Sequence, residues 1–289
     1  QAEDGIRDSV ASRGLGDVYK RQLCYVLIMQ NQWLDYILLA LFTGISITLI
    51  RSGSKEDKLQ NISIWKDRMI ALIIFMVINI SFWACFEQAG TSLTLFADRN
   101  VDRFIFGWEM PASMTQFFNP FFIILFGSIF SVMWVKLSKI GKNPSIPLKF
   151  CFGIVQLALG FLLTQVGFQF VNEAYQVPLL TLVFLYMLHT TGELFLSPIG
   201  LSMVTKLSPK SMAGTAMGAW FLSFAIANYV GGKIAALTGG HGGGEVTSAE
   251  DGLLQYLDTF ATIGYVLLAI AALIFVLNKP IQKLMHGVK

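Results

Sequence analysis

Charge is scarce in this sequence: only 13% of its 289 residues are Asp, Glu, Lys or Arg, against roughly 25% in an ordinary soluble domain. With 54% hydrophobic residues beside it, that scarcity excludes both a soluble globular protein and intrinsic disorder, which needs low hydrophobicity and high charge. A net charge of +3 leaves no basic surface able to neutralise a row of phosphates, so no nucleic-acid partner is expected. Cysteine is scarce as well. Cys24, Cys85 and Cys151 form no CxxC pair, and the last two sit inside apolar runs, so neither a disulfide framework nor a metal site is indicated. HExxH, GxSxG and paired metal ligands are absent. The glycine run from Gly239 to Gly244 lacks the GxxxxGK[ST] pattern and reads as a flexible loop, not a phosphate cradle. Without a catalytic constellation the expectation is not an enzyme, and no cofactor is expected.

What the chain has instead is apolar length. A bilayer core needs about 20 consecutive apolar residues in a helix, and seven runs meet or approach this: Leu34 to Ile50, Met69 to Phe96, Thr115 to Leu137, Leu148 to Val171, Pro178 to Leu207, Met212 to Leu237 and Leu254 to Leu277. The lipid bilayer is therefore the expected surroundings, and the architecture an all-α integral membrane protein. Residues 1–22 differ, with four basic and four acidic residues and no apolar period. They lack the hydrophobic core of a signal peptide and resemble translated adaptor sequence, so they are expected to be a non-native or disordered leader. Residues 23–66 are expected to form a linker helix region and residues 67–289 a bundle of six helices.

Lysine and arginine collect in alternate loops. Fourteen (Arg51, Lys55, Lys58, Lys66, Arg68, Lys136, Lys139, Lys142, Lys149, Lys206, Lys210, Lys279, Lys283 and Lys289) fall in one set, and only Arg99 and Arg103 in the other. Since cytoplasmic loops carry the basic excess, the C-terminus is expected in the cytoplasm and the protein in the inner (plasma) membrane.

Ionisable groups at bilayer depth cost at least about 2.5 kcal/mol, so each is a functional candidate. Glu193 lies near the centre of its run, and at 100° per residue Tyr186, His189, Thr190, Ser197 and Gly200 share its side. Pro198 frees a backbone carbonyl one turn before it, which suits a helix lining a wet cavity. The plainer alternative is a structural Glu hydrogen-bonded inside the bundle, and His189 is as consistent with a core residue as with a cavity wall. Glu87 occupies the outer half of its run, with Trp83, Thr91, Thr94 and Asp98 placed on its face by the same spacing. A carboxylate there can exchange protons, or simply hydrogen-bond near the interface. Asn119, before Pro120, could hold a substrate or cap the turn before the proline. Trp220, Ser223 and Ala227 share a face in the sixth run, where Gly214 and Gly218 form a GxxxG; Trp220 fits core or cavity, and the motif alone is weak. Lys233 near a helix end is explained by snorkelling.

Five segments, in order, resemble proton-dependent oligopeptide transporters of the major facilitator superfamily. FWACFEQAGTSLTLFAD (Phe82 to Asp98) is similar to their seventh helix, FFNPFF (Phe117 to Phe122) to the eighth, and PSIPLKF (Pro144 to Phe150) to the entry of the ninth. GELFLSPIGLSMVTKLSP (Gly192 to Pro209) resembles the tenth and GTAMGAWFL (Gly214 to Leu222) the eleventh. The resemblance implies the C-terminal six-helix bundle of a major facilitator fold plus one preceding linker helix, Leu34 to Ile50. It implies proton coupling through Glu87 and Glu193, and substrate binding by Glu193, Asn119, Ser197 and Trp220. Helices one to six, the ExxERFxYY motif and the Lys that would pair with Glu193 have no counterpart in the sequence. The expected function is proton-coupled symport of di- and tripeptides, with protons as the coupling ion and a missing N-terminal six-helix bundle as obligatory partner; this chain alone is expected to be inactive. The alternatives are the same fold carrying nitrate or another small metabolite, or a non-transporting membrane receptor or assembly subunit.

Overall fold

The computed structural model describes residues 31–238 and 248–288; the leader at 1–22, Cys24 and the glycine-rich loop lie outside the described residues. Seven stretches among them are helical, long and apolar enough to cross a membrane. By connectivity the chain divides after Thr48. The described residues before the division, 31–48, are the first part of helix α1 (Asn31–Gln60), a largely exposed apolar rod.

From Leu49 onward the end of α1 turns into α2 (Trp65–Phe86). Asp57 makes this corner. Its carboxylate accepts the backbone N–H groups of Ile64 and Trp65 on Oδ1 (2.9 and 2.8 Å) and of Lys66 on Oδ2 (3.0 Å), so donors orphaned at the start of α2 are satisfied from the preceding helix. A short 3₁₀ turn, Glu87–Gly90, separates α2 from α3 (Ser92–Asn100). There follow α4 (Phe118–Lys139), entered through a 3₁₀ segment at Ala112–Phe117, and α5 (Ile146–Gly167). The last three helices are α6 (Leu179–Leu207), α7 (Ala213–Thr238) and α8 (Ala249–Leu284).

Two small pairings, not expected from the apolar runs, tie the loops at one end. Strand β1 (Val101–Asp102) runs parallel to β4 (Val177–Pro178), and β2 (Phe104–Ile105) pairs antiparallel with β3 (Trp108–Glu109). The β2–β3 turn places Phe106 and Gly107 at positive φ (49° and 83°), the backbone pattern that closes a tight hairpin. Arg103 underlies the hairpin. It is bridged to Glu109 (2.9 Å) and Asp98 (3.3 Å) and donates to the Met110 carbonyl.

The hydrogen bonds also reveal which loops lie together. Arg68 donates to the His286 carbonyl (3.2 Å), the His286 ring meets Asp67 (2.8 Å), and Ser145 bonds Asn278 (2.8 Å), so the lysine-bearing ends of α2, α5 and α8 share one side. At the other side Asn100 reaches the carbonyls of Tyr175 and Ala249 (3.4 and 3.5 Å).

Helix α5 is the centre of the bundle, packed chiefly on α6 and α8. Its contact with α6 is made by glycines spaced seven apart. Gly153 lies so close to α6 that an added Cβ would stand 2.7 Å from the Gly192 carbonyl oxygen; at Gly160 it would meet the His189 ring at 2.4 Å, and at Gly167 the Thr181 methyl at 2.5 Å. Seven residues is nearly two helical turns, so the three glycines form one seam along which two backbones approach. The GxxxG at Gly214 and Gly218 makes no such contact: added Cβ atoms there meet nothing within 4 Å.

Candidate functional site

The polar lane on α6 keeps its period in three dimensions, because α6 is an unbroken helix that continues through Pro198. Tyr186, His189 and Thr190 are buried, Glu193 is half-buried, and Ser197 is exposed one turn further on. Asn119 crosses to this lane from the first turn of α4. Its Nδ2 donates to Glu193 Oε2 (3.0 Å) and to Thr190 Oγ1 (3.1 Å), while the Thr190 hydroxyl donates to the Tyr186 carbonyl (2.7 Å). Asn119 therefore does not cap the turn before Pro120; proline is tolerated within the first helical turn, where its missing N–H has no intrahelical partner to lose.

Glu87 reaches the same region from the break between α2 and α3, half-buried and near enough to Glu193 for the two carboxylates to interact. Here a sequence expectation is corrected. Trp83, Glu87, Thr91, Thr94 and Asp98 do not line one helical face, because the helix is interrupted at Glu87–Gly90 and Thr91 adopts φ −129°, ψ −98°. Trp83 packs on Phe224 of α7 (5.0 Å between rings). Asp98 faces Arg103 at the loop end.

Gln88 holds the interruption, and sequence reasoning passed over it. Fully buried, it donates from Nε2 to the carbonyls of Ala84 (2.8 Å) and Gly231 (2.9 Å). Its Oε1 accepts the Ser92 hydroxyl (2.8 Å), and Thr94 Oγ1 donates to the Ala89 carbonyl (2.7 Å). The Ala84 and Ala89 carbonyls at the break are thus satisfied by side chains, as non-helical backbone at membrane depth requires, while the bond to Gly231 ties the break to α7. The available signal was the glutamine itself, an uncharged polar group inside an apolar run. Gln88→Leu is expected to lower stability by about 2–3 kcal/mol, since it strands the buried Ser92 hydroxyl and removes the side-chain bonds to the Ala84 and Gly231 carbonyls. Thermal unfolding of the detergent-purified chain measures this; an unchanged Tm would mean that the backbone holds the break unaided.

The remaining candidates are not drawn into the Asn119–Glu193 pair. Trp220 is 2% exposed and its ring covers Gly200, where an added Cβ would lie 2.7 Å from Cζ2. Beneath it a second polar pair, also missed, links α2 to α7: Asn79 donates to Ser223 Oγ (2.8 Å), which donates to the Trp220 carbonyl (2.6 Å). His189 is a core residue at 1% exposure, its ring 4.7 Å from that of Phe161. Lys233 places Nζ 4.9 Å above the Tyr229 ring. No group of three or more potential metal ligands occurs among the described residues.

Comparison with known proteins agrees with this architecture. The family model described as "PTR2: POT family" matches residues 22–243. The chain is 37% identical over 222 residues to "Peptide transporter YePEPT" of Yersinia enterocolitica subsp. palearctica, covering 76% of this chain and 42% of that protein. It is 35% identical over 254 residues to "Dipeptide and tripeptide permease A" of Yersinia pestis, covering 88% and 49%. Among solved structures, a "peptide transporter POT in complex with sulfate" superposes with a TM-score of 0.72 at 28% identity, over 97% of this chain and 54% of that one. The chain spans about half the length of the curated relatives it matches.

Proposed function

The chain belongs to the POT family, and on that premise we propose that residues 67–289 are the C-terminal bundle of an importer carrying di- and tripeptides together with protons. The observation that carries this reading is the contact of Asn119 with Glu193 (3.0 Å) on the polar lane of the otherwise apolar α6, with Glu87 at the helix break within electrostatic reach. A membrane helix keeps an ionisable group at depth when that group faces a wet cavity or a partner.

In this reading Glu193 and Asn119 bind the peptide's polar ends, with Ser197 one turn along the same lane. Trp220, braced by Ser223, sets the shape of the wall from behind Gly200. Glu87 and Glu193 exchange protons, and because each meets substrate and proton differently in outward- and inward-open states, their titration shifts the balance between those states. Helix α4 buries almost nothing within the bundle, which leaves a wall for a second bundle to cover, and transporters of this kind bind substrate between two bundles that rock about it. The relatives' further length supplies room for that partner. The bias of lysine and arginine in the loops supports an inner-membrane placement with a cytoplasmic C-terminus.

The test is uptake of radiolabelled dialanine into proteoliposomes holding this chain with its complementary N-terminal bundle, under an inward proton gradient. Accumulation that collapses with a protonophore is the expected result. Nitrate accumulation without dialanine uptake would assign the fold a different cargo, and neither would turn the reading toward a non-transporting role.

A further inference from the structure

Lysines at the lysine-rich end of the bundle follow two patterns. Lys136, Lys139 and Lys142 are exposed, as snorkelling side chains at a membrane boundary are. Lys149 is not: it is 7% exposed, and its ammonium lies 4.4 Å above the Trp134 ring. Among the described residues no carboxylate pairs with it, and Lys206 of α6 is close enough to add a second positive charge. Residues 110–172, which include all of α4 and α5, contain no Asp or Glu. On α6 the one acidic residue is Glu193, engaged with Asn119. From α8 the neighbour at this corner is Asn278, and the other charged groups there, Lys279 and Lys283, are again basic.

Three further features favour negative charge at the same place. Lys149 stands in the first turn of α5, where the helix dipole opposes a cation. That turn carries no acidic residue and no side-chain cap, because the Ser145 hydroxyl is directed to Asn278 Oδ1 (2.8 Å). The Trp134 Nε1–H is buried without a hydrogen-bond partner. The Lys149 ammonium thus meets a ring face and no counter-charge, and an anion beside it would complete its partners.

We propose that Lys149, the Trp134 indole N–H and the uncapped first turn of α5 form a binding site for a phosphate group, supplied by an anionic phospholipid headgroup or by free phosphate. Side chains near a helix start lean back toward the N-terminus, which would bring the lysine and the N–H groups of Ile146 and Leu148 to the same anion; Pro147 has no N–H, and that of Lys149 is bonded to the Ser145 carbonyl (3.0 Å). The site stands apart from the Asn119–Glu193 region and does not depend on what the bundle transports.

Native mass spectrometry of the full chain with phosphatidylglycerol and phosphatidylcholine tests the lipid source. Calorimetric titration of inorganic phosphate into phosphatidylcholine nanodiscs tests the soluble one. The wild-type chain should prefer phosphatidylglycerol or bind phosphate, Lys149→Gln should weaken that binding by about tenfold, and Lys139→Gln should leave it unchanged. Trp134→Phe keeps the ring and removes only the N–H, so a loss of about threefold there is expected even if Lys149→Gln fails to fold. Loss confined to phosphatidylglycerol identifies the headgroup as ligand, and loss of phosphate binding identifies the free anion. Equal losses in Lys139→Gln and the site variants, or a wild-type chain indifferent to both probes, would overturn the site.

Discussion

Glu193→Gln, introduced into this chain and paired with its complementary bundle, is expected to reduce proton-driven dialanine uptake on the order of 100-fold. Dialanine counterflow, which needs no net proton movement, should survive. The substitution preserves shape and one acceptor: the amide oxygen of Gln can still take the Nδ2–H of Asn119 that Glu193 Oε2 takes at 3.0 Å. What it removes is titration. An equilibrium between two states moves only by the difference in a ligand's affinity for them, and a hundredfold population change needs a comparable ratio. A side chain that binds no proton supplies no such difference. Asn119→Ala tests the same site from α4 and should weaken peptide binding while leaving uptake gradient-dependent, because the carboxylate remains. Gradient-driven uptake at the wild-type rate in Glu193→Gln would place the coupling elsewhere.

Gly192→Val is expected to be the most destabilising single change in the bundle, costing about 3 kcal/mol or more. The Cβ of any residue at 192 would stand 2.7 Å from the Gly153 carbonyl oxygen, and one at 153 would meet the Gly192 oxygen at the same distance. The obstruction is backbone on both sides, so no rotamer change relieves it and the helices must separate, at the upper end of what overpacking usually costs. Separation would also carry Glu193 away from Asn119. A fall in Tm of several degrees, or loss of the monodisperse detergent-purified chain, checks the prediction. Gly218→Val serves as the control: its Cβ meets nothing within 4 Å, so it should cost little. Equal effects at the two positions would mean that the seam is not where α5 and α6 hold each other.

Much of this was legible from the residues alone. The seven spans appear where apolar length demands them, and alternate loops lie together: Arg68 meets the His286 carbonyl at one side, and Asn100 meets the carbonyls of Tyr175 and Ala249 at the other. The lane through Tyr186, Thr190 and Glu193 was legible because α6 is a regular helix and its 100° step therefore held. The same step failed at Glu87, where hydropathy runs on without interruption but the backbone does not. Hydropathy measures whether a segment prefers lipid to water; it is blind to a helix break whose Ala84 and Ala89 carbonyls are satisfied by Gln88 and Thr94.

By itself, then, the sequence determined that the chain is a multi-pass membrane protein of this family, which ends of its helices share a side, and where charge enters the bilayer. Each is a property of one segment against its solvent. Only the tertiary structure decided the pairings: Asn119 with Glu193 across 74 residues of chain, Gln88 with the Gly231 carbonyl, Gly153 and not Gly214 as the place of closest approach, and Lys149 buried while Lys136, Lys139 and Lys142 are exposed. The reason lies in the solvent. Lipid is as apolar as a helix neighbour, so the face that meets another helix and the face that meets the bilayer read alike in composition, and only packing distinguishes them.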